Sequence, residues 1–221
     1  VCNFEYANPA DDTADSAAAA GRYDAIYNRF FMGGIFHKTY PDLVLDGLEP
    51  HLPKGWESDF DLIGTPVDWC GINYYTRSNI AAKDGPWPNL QAVEGPLDKT
   101  QMGWEIYPDG LYEFIMRTDR EYTKGLPIYV TENGMANDDK SIAGCITDDA
   151  RIAYIEAHLQ AAMRAIQEGA PLVGYYIWSL LDNYEWALGY EKRFGLVHVD
   201  FDTLERRPKK SFDTLKAWIA R

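Results

Sequence analysis

Short apolar runs rich in β-branched and aromatic residues alternate along this chain with longer segments whose apolar positions recur every three or four residues. Val1–Tyr6 reads as the tail of a strand, closed by Asn8-Pro9. Asp15–Phe31 predicts a helix, with Tyr23, Ile26, Tyr27 and Phe30 at helical spacing and Gly33-Gly34 as its stop. Asp42–Leu48 and Ser58–Ile63 read as short helical pieces separated by Pro50, Pro53 and Gly55. Val67–Tyr75 is the next strand, apolar on both faces up to Ile72, as a parallel strand covered by helices requires. Ser78–Gln101, broken by Gly85-Pro86-Trp87-Pro88 and Gly95-Pro96, reads as a long loop over a site. Asp109–Thr123 predicts a helix with Leu111, Phe114, Ile115 and Tyr122 inward.

Ile128–Thr131 is a strand, and Asn133-Gly134 after it is a turn signal because both residues tolerate positive φ. A loop over 133–147 leads into a helix at Asp148–Gln167, whose expected inward stripe is Ile152, Ile155, Leu159, Met163 and Ile166, stopped by Gly169 and Pro171. Leu172–Leu180 reads as a strand, Asp182–Phe194 as a loop and Gly195–Phe201 as extended chain. Pro208–Ile219 reads as a closing helix with Pro in its first turn. Four strand–helix units in succession predict an α/β fold with a parallel sheet, and four such units are half of an eight-stranded barrel. No internal boundary divides residues 1–221, so they read as one unit.

Charge narrows the partners. Against 34 acidic residues stand 21 Lys and Arg, a net charge of -13, which disfavours nucleic acid and anionic membrane surfaces. No apolar run approaches the ~20 residues of a membrane span. Three cysteines, Cys2, Cys70 and Cys145, lack metal-like spacing, and a reducing, cytoplasmic setting is the mild preference. The histidines His37, His51, His158 and His198 show no paired ligand spacing, and there is no glycine-rich phosphate loop, so neither a metal nor a nucleotide cofactor is indicated. Core packing explains many of the 7 Trp and 15 Tyr, but those on loops also suit a pocket that stacks on rings.

One carboxylate draws attention. Period-2 alternation puts Ile128, Val130 and Glu132 on one face of their strand, and Tyr129 and Thr131 on the other. Taken alone, Glu132 reads as the first solvated residue of a loop. Yet Pro127–Gly134 resembles the nucleophile signature of the family 1 glycoside hydrolases, the retaining β-glucosidases. The likeness extends, in the family's order, to Asn73-Tyr74-Tyr75, Met102-Gly103-Trp104-Glu105, the run Trp178–Trp186 and Arg193-Phe194-Gly195-Leu196.

That resemblance implies the C-terminal half, strands five to eight, of a (β/α)8 barrel whose site lies at the C-terminal strand ends. It implies Glu132 as nucleophile and Tyr75 as its hydrogen-bond donor, with Asn73 beside them. Trp178 becomes a platform beneath the sugar, Glu185 an acceptor for two adjacent hydroxyls and Trp186 a donor to another. Phe194 lines the pocket, Trp104 walls an outer subsite, and Asn3 stands near the site. Without the family, Asn73, Tyr75 and Trp178 read first as barrel packing, and Glu185-Trp186 equally as an acidic surface loop. A carboxylate at 185 would repel a phosphate, so non-phosphorylated β-glucosides or cello-oligosaccharides are the expected substrates.

The family's Asn-Glu-Pro, bearing its acid/base glutamate, has no match here. Glu49-Pro50 follows Leu48 and a helical piece instead of a buried strand, and reads as structural. The chain begins at Val1 and reads as truncated. It is therefore expected to need a complementary N-terminal half-barrel polypeptide for activity and not to persist as a lone monomer, since half a barrel leaves two sheet edges unpaired. The alternatives are an incomplete half-barrel that only binds sugar or assembles, and a relative acting on a different leaving group, such as a thioglucosidase.

Overall fold

A computed structural model describes residues 2–142 and 145–220. Strand β1 (Cys2–Pro9) leads into α1 (Ala14–Asp24), whose start is capped by the Thr13 hydroxyl accepting from the Ser16 N–H. The helix is longer than its pattern predicts. It passes through a π-helical turn at Ala25–Arg29 into α2 (Phe30–His37), with left-handed Lys38 at its end. Gly33 and Gly34 therefore lie inside α2 and do not stop it. A Cβ on Gly33 would stand 2.8 Å from the Thr39 carbonyl, so glycine there serves close approach. The inward face differs from its prediction: Ala19, Ala20, Ala25 and Met32 are buried while Tyr23 and Tyr27 stack on one another at 5.3 Å, half-buried. After α3 (Asp42–Leu48) and α4 (Phe60–Ile63) the chain enters β2 (Cys70–Ala82).

The region expected to be a loop from Ser78 is in part a hairpin. β2 runs on to Ala82 and pairs antiparallel with β3 (Leu90–Val93). Ile80 explains the extension: it is fully buried against Ala19 and Ala20 of α1. The Gly85-Pro86-Trp87-Pro88 run forms the hairpin's turn, where Asn89 adopts a positive φ and its N–H reaches the Pro86 carbonyl.

Then follow α5 (Pro108–Arg117), β4 (Ile128–Asn133), the short pair β5 (Lys140–Ile142) and β6 (Cys145–Thr147), α6 (Asp149–Gln167) and β7 (Leu172–Ile177). The chain closes with β8 (Val197–Val199), β9 (Arg206–Pro208) and α7 (Lys210–Ile219). The extended segment after Gly195 is thus half of a β8–β9 hairpin, and Pro208 ends a strand instead of opening the last helix. β7 stops at Ile177, three residues short of its predicted end.

The main sheet has the order β1-β2-β4-β7, each pairing parallel. One face is covered. Phe4, Ile72, Tyr74, Ile128 and Val130 pack there against Met32 of α2, Leu111, Phe114 and Ile115 of α5, and Ala162 and Ala165 of α6. All four inward residues expected of the Asp109–Thr123 segment are buried. On α6 the stripe is rotated from its prediction: Arg151, Tyr154, Ile155, His158, Ala161, Ala162 and Ala165 are buried, while Met163 and Ile166 are 45% and 48% exposed. The alanines let α6 approach the sheet more closely than a row of branched side chains would, and Arg151 and Tyr154 reach polar partners.

The opposite face of the sheet is open. A cavity of about 470 Å³ lies against it, lined by Trp69, Tyr129, Thr131 and Tyr176. β1 and β7 form the edges of the sheet among the described residues. None of the helices described is long and apolar enough to cross a membrane.

His158 carries a pH signature of this packing. Its ring lies 3.9 Å from that of Tyr154, its Nδ1–H donates to the Tyr154 carbonyl at 2.8 Å, and its buried Nε2 has no partner. Burial pushes its pKa down to about 4. Between the ordinary histidine value and that figure the unfolded chain binds a proton that the folded chain refuses. The histidine's contribution to stability should therefore fall as pH drops from about 6.5 to about 4, by on the order of 3 kcal/mol, and level off below. Urea unfolding across this range should show that slope, and His158→Phe should flatten it.

Candidate active site

Strict alternation would send Glu132 to the covered face with Ile128 and Val130, and the structure corrects this. Ile72 of β2 stands opposite Val130, but Asn73 stands opposite Glu132, so Thr131 and Glu132 together face a single residue. On the other side Val130 pairs with Tyr175 and Asn133 with Ile177, so the same two residues face Tyr176. Such a bulge re-aims the side chain that follows it. Glu132 is returned to the side of Asn73 and Tyr75, and the Tyr75 hydroxyl donates to Glu132 Oε2 at 2.7 Å. Burial, then the bond to Glu132, raises the Tyr75 phenol and keeps it a donor.

Around this pair the other candidates fall at different distances. Thr131 donates to Asn73 Oδ1 at 2.7 Å, and Asn73 Nδ2 donates to Asn3 Oδ1 at 2.9 Å, so Asn3 orients Asn73 from an exposed position on β1. The ring of Trp104 lies 5.5 Å from Tyr75 and 6.2 Å from Phe194, which is itself 6.3 Å from Tyr75. These three aromatics form one cluster about the ring that bonds to the carboxylate. Trp178 follows directly on β7, and its backbone N–H donates to the Asn133 carbonyl at 2.9 Å.

Glu185 faces the same space. Burial raises its pKa, a hydrogen bond from the Trp178 side chain opposes that rise, and the charge of Glu132 adds to it. Its Oε2 is buried without a partner. Trp186 stands apart from the others, 82% exposed. Glu49-Pro50 forms an exposed 3-10 turn, away from any strand end. Among the described residues no group of His, Cys, Asp and Glu could hold a metal ion.

Two groups of residues escaped the sequence reading. The first is Asn133 with Tyr154, behind the bulge. The second is a buried charge network. Arg151 pairs with Asp139 at 2.9 Å and Asp148 at 2.5 Å, while Lys209 pairs with Asp182 at 2.8 Å and also with Asp139. Arg193 closes the set on Asp182 at 2.8 Å. Burial alone would raise the Asp182 carboxyl, but Lys209 and Arg193 overcome it and hold it below the usual range. This network joins the loop after β4 to the loop after β7, which carries Glu185 and Phe194. Charged residues spaced up to 70 positions apart give no periodic signal; only the quoted Asp182 and Arg193 fell inside a recognised motif.

Asn133-Gly134 also needs correction. Neither residue has a positive φ. Gly134 is required because a Cβ there would lie 1.8 Å from the Trp178 carbonyl oxygen. Gly134→Ala should push the end of β7 away, costing ~1–3 kcal/mol; a lowered midpoint in thermal unfolding would check it.

A carboxylate held by a phenol, a second carboxylate facing it and aromatic walls suit a polar, uncharged ring. The profile of Glycosyl hydrolase family 1 matches residues 1–221. The chain is 42% identical over 214 residues to a 1,4-beta-D-glucan glucohydrolase of Thermotoga neapolitana, covering 96% of this chain and 48% of that protein. It is 41% identical to beta-glucosidase A of Thermotoga maritima, again over 96% and 48%. Among solved structures it is similar to a family 1 b-glucosidase from Thermotoga maritima, with a TM-score of 0.95, 38% identity, and 99% and 49% of the two chains covered. Beta-glucosidase from the same organism in complex with glucoimidazole matches with a TM-score of 0.94 at 38% identity, over 99% and 49%. The chain thus spans about half the length of the curated relatives it matches.

Proposed function

The chain belongs to glycosyl hydrolase family 1, and on that premise we propose that it carries the nucleophile half of a retaining β-glycosidase acting on non-phosphorylated β-glucosides or cello-oligosaccharides. The observation that carries this reading is the 2.7 Å hydrogen bond from Tyr75 to Glu132 at the bulged tip of β4. It holds one carboxylate oxygen and leaves the other for attack.

In the first step a Glu132 oxygen bonds to the anomeric carbon while the glycosidic C–O bond breaks. The leaving oxygen takes a proton from a carboxylic acid about 5–5.5 Å from Glu132. In the second step that group, now a carboxylate, takes a proton from water. The resulting oxygen attacks the anomeric carbon and releases Glu132. Asn73, steadied by Asn3 and Thr131, orients the sugar beside the nucleophile. Trp178 is the platform, and Glu185, whose Oε2 is free in a buried setting, accepts from sugar hydroxyls. Phe194 and Trp104 wall the pocket. Trp186 would donate to a sugar hydroxyl by turning in from its exposed position. Glu185 also disfavours a phosphorylated sugar by charge repulsion.

The proton donor in this reading comes from a complementary polypeptide. Residues 1–221 form strands five to eight of the barrel in a single unit, and the partner supplies strands one to four. Support comes from relatives of twice the length and from the two sheet edges. The exposed apolar residues Trp69, Val173 and Tyr176, 48–58% accessible along the open face and β7, point the same way.

Two experiments bear on this. A 2-deoxy-2-fluoro β-glucoside should trap a covalent adduct on Glu132 in the completed enzyme, and Glu132→Gln should lower turnover about 10⁴-fold or more with the fold intact; an adduct on another residue sinks the assignment. Hydrolysis of an aryl β-glucoside should be absent with this chain alone and appear on adding the complementary half. Activity of the isolated chain, or inactivity of the pair, counts against the split reading.

A further inference from the structure

The position of Glu132 depends on what happens one residue later. Asn133 is fully buried, and its side chain is used at every polar atom. Its Nδ2 donates to the Tyr74 carbonyl at 2.7 Å and to the Tyr154 hydroxyl at 3.1 Å, while its Oδ1 accepts from the Tyr175 hydroxyl at 2.5 Å. The Tyr154 hydroxyl in turn donates to the Tyr75 carbonyl at 3.0 Å. Both partners of the Tyr75–Glu132 bond are thereby tied to one buried knot. Glu132 is tied through the residue that follows it, and Tyr75 through its own carbonyl and that of the residue before it.

We infer that Asn133 and Tyr154 are positioning residues that set the distance between the Tyr75 phenol and the Glu132 carboxylate, by fixing the backbones of β4 and β2 to each other across the bulge. This rests on the reading of Glu132 as nucleophile. The need for such a tie is physical. At the bulge two residues of β4 face one residue of β2, so the regular ladder that would hold the strands in register is interrupted there. Asn133 and Tyr154 replace the lost ladder with side-chain bonds to Tyr74 and Tyr75. Tyr154 comes from α6, whose ring stack with His158 and full burial fix the phenol's position. Burial also holds its phenol well above the usual range, so it stays a donor. No other described hydroxyl reaches the Tyr75 carbonyl.

A double-mutant cycle in the completed enzyme tests this, comparing wild type, Tyr154→Phe, Tyr75→Phe and the pair. The rate of Glu132 modification by a 2-deoxy-2-fluoro β-glucoside is the readout. Tyr154→Phe removes one oxygen and no ring volume. It should slow modification about tenfold, and in the Tyr75→Phe background it should add less than about twofold, because the bond it positions is already gone. An equal cost in both backgrounds, or no cost in the wild-type background, overturns the inference. Should Tyr154→Phe fail to fold, Tyr175→Phe, which removes the other hydroxyl on Asn133, is run through the same cycle with the same criteria. If wild type itself is modified elsewhere than at Glu132, the nucleophile assignment has failed, an outcome distinct from either of these.

Discussion

Opposite Asn73, β4 places two residues where regular pairing allows one. Side chains on a strand alternate faces, so a slip of one position moves every following residue to the other side. Here it moves a carboxylate away from a row of fully buried aliphatics, where an unpaired charge would cost several kcal/mol. It arrives instead beside a phenol that can donate to it. The bulge is held from three directions: Thr131 on Asn73, Asn133 on Tyr74, and Tyr75 on Glu132 itself. Trp178 joins the same construction through the Asn133 carbonyl, and the absent side chain of Gly134 lets the two strand ends meet. The chemistry proposed for the strand tip follows from this local departure from regular pairing.

The loops around that tip are fixed by charge. Asp139, Asp148 and Asp182 are balanced by Arg151, Lys209 and Arg193, and Arg151 and Lys209 are almost wholly inaccessible to water. Removing one member of such a set leaves a buried charge uncompensated, which typically costs ~3–5 kcal/mol. The set also bonds to the backbone: Asp182 accepts from the Gly195 N–H at 2.9 Å, and Arg151 donates to the Arg193 carbonyl at 2.7 Å. The segment carrying Phe194 is thereby held against Trp104 and Tyr75. The loop bearing Glu185 is anchored at its root by Asp182, while its tip, with Trp186, stays exposed.

The tyrosines packed around the strand tip divide into two kinds. Tyr75 faces the candidate site, whereas Tyr74, Tyr154 and Tyr175 spend their hydroxyls on internal ties, Tyr74 on the Tyr107 carbonyl at 2.7 Å. A phenol combines apolar area with one polar atom at a fixed reach, which suits a helix that must bond to a strand end across a packed layer. An aromatic-rich composition is therefore as much a signature of this internal bracing as of a ring-binding pocket.

Much was legible in the chain itself. The strand–helix alternation, the parallel sheet, the inward residues of the Asp109–Thr123 segment and the placement of Glu132, Tyr75, Trp178 and Glu185 near strand ends all follow from local patterns. Those patterns depend only on neighbours a few positions away, as do turn residues and short motifs. The β2–β3 hairpin was missed because Ile80 becomes a strand residue only when α1 covers it. The face of α6 was misjudged because apolar periodicity gave no weight to alanines, which pack closely, or to Arg151, which is buried only in the company of Asp139 and Asp148. The direction of Glu132 could not be read at all. It is decided by pairing with Asn73 and Tyr75, the latter 57 positions earlier in the chain, and alternation within one strand carries no record of an extra residue opposite another. The residues, their order and their chemistry were set by the sequence; which way the carboxylate points, and what holds it, was decided by contacts that exist only once distant strands and α6 have come together.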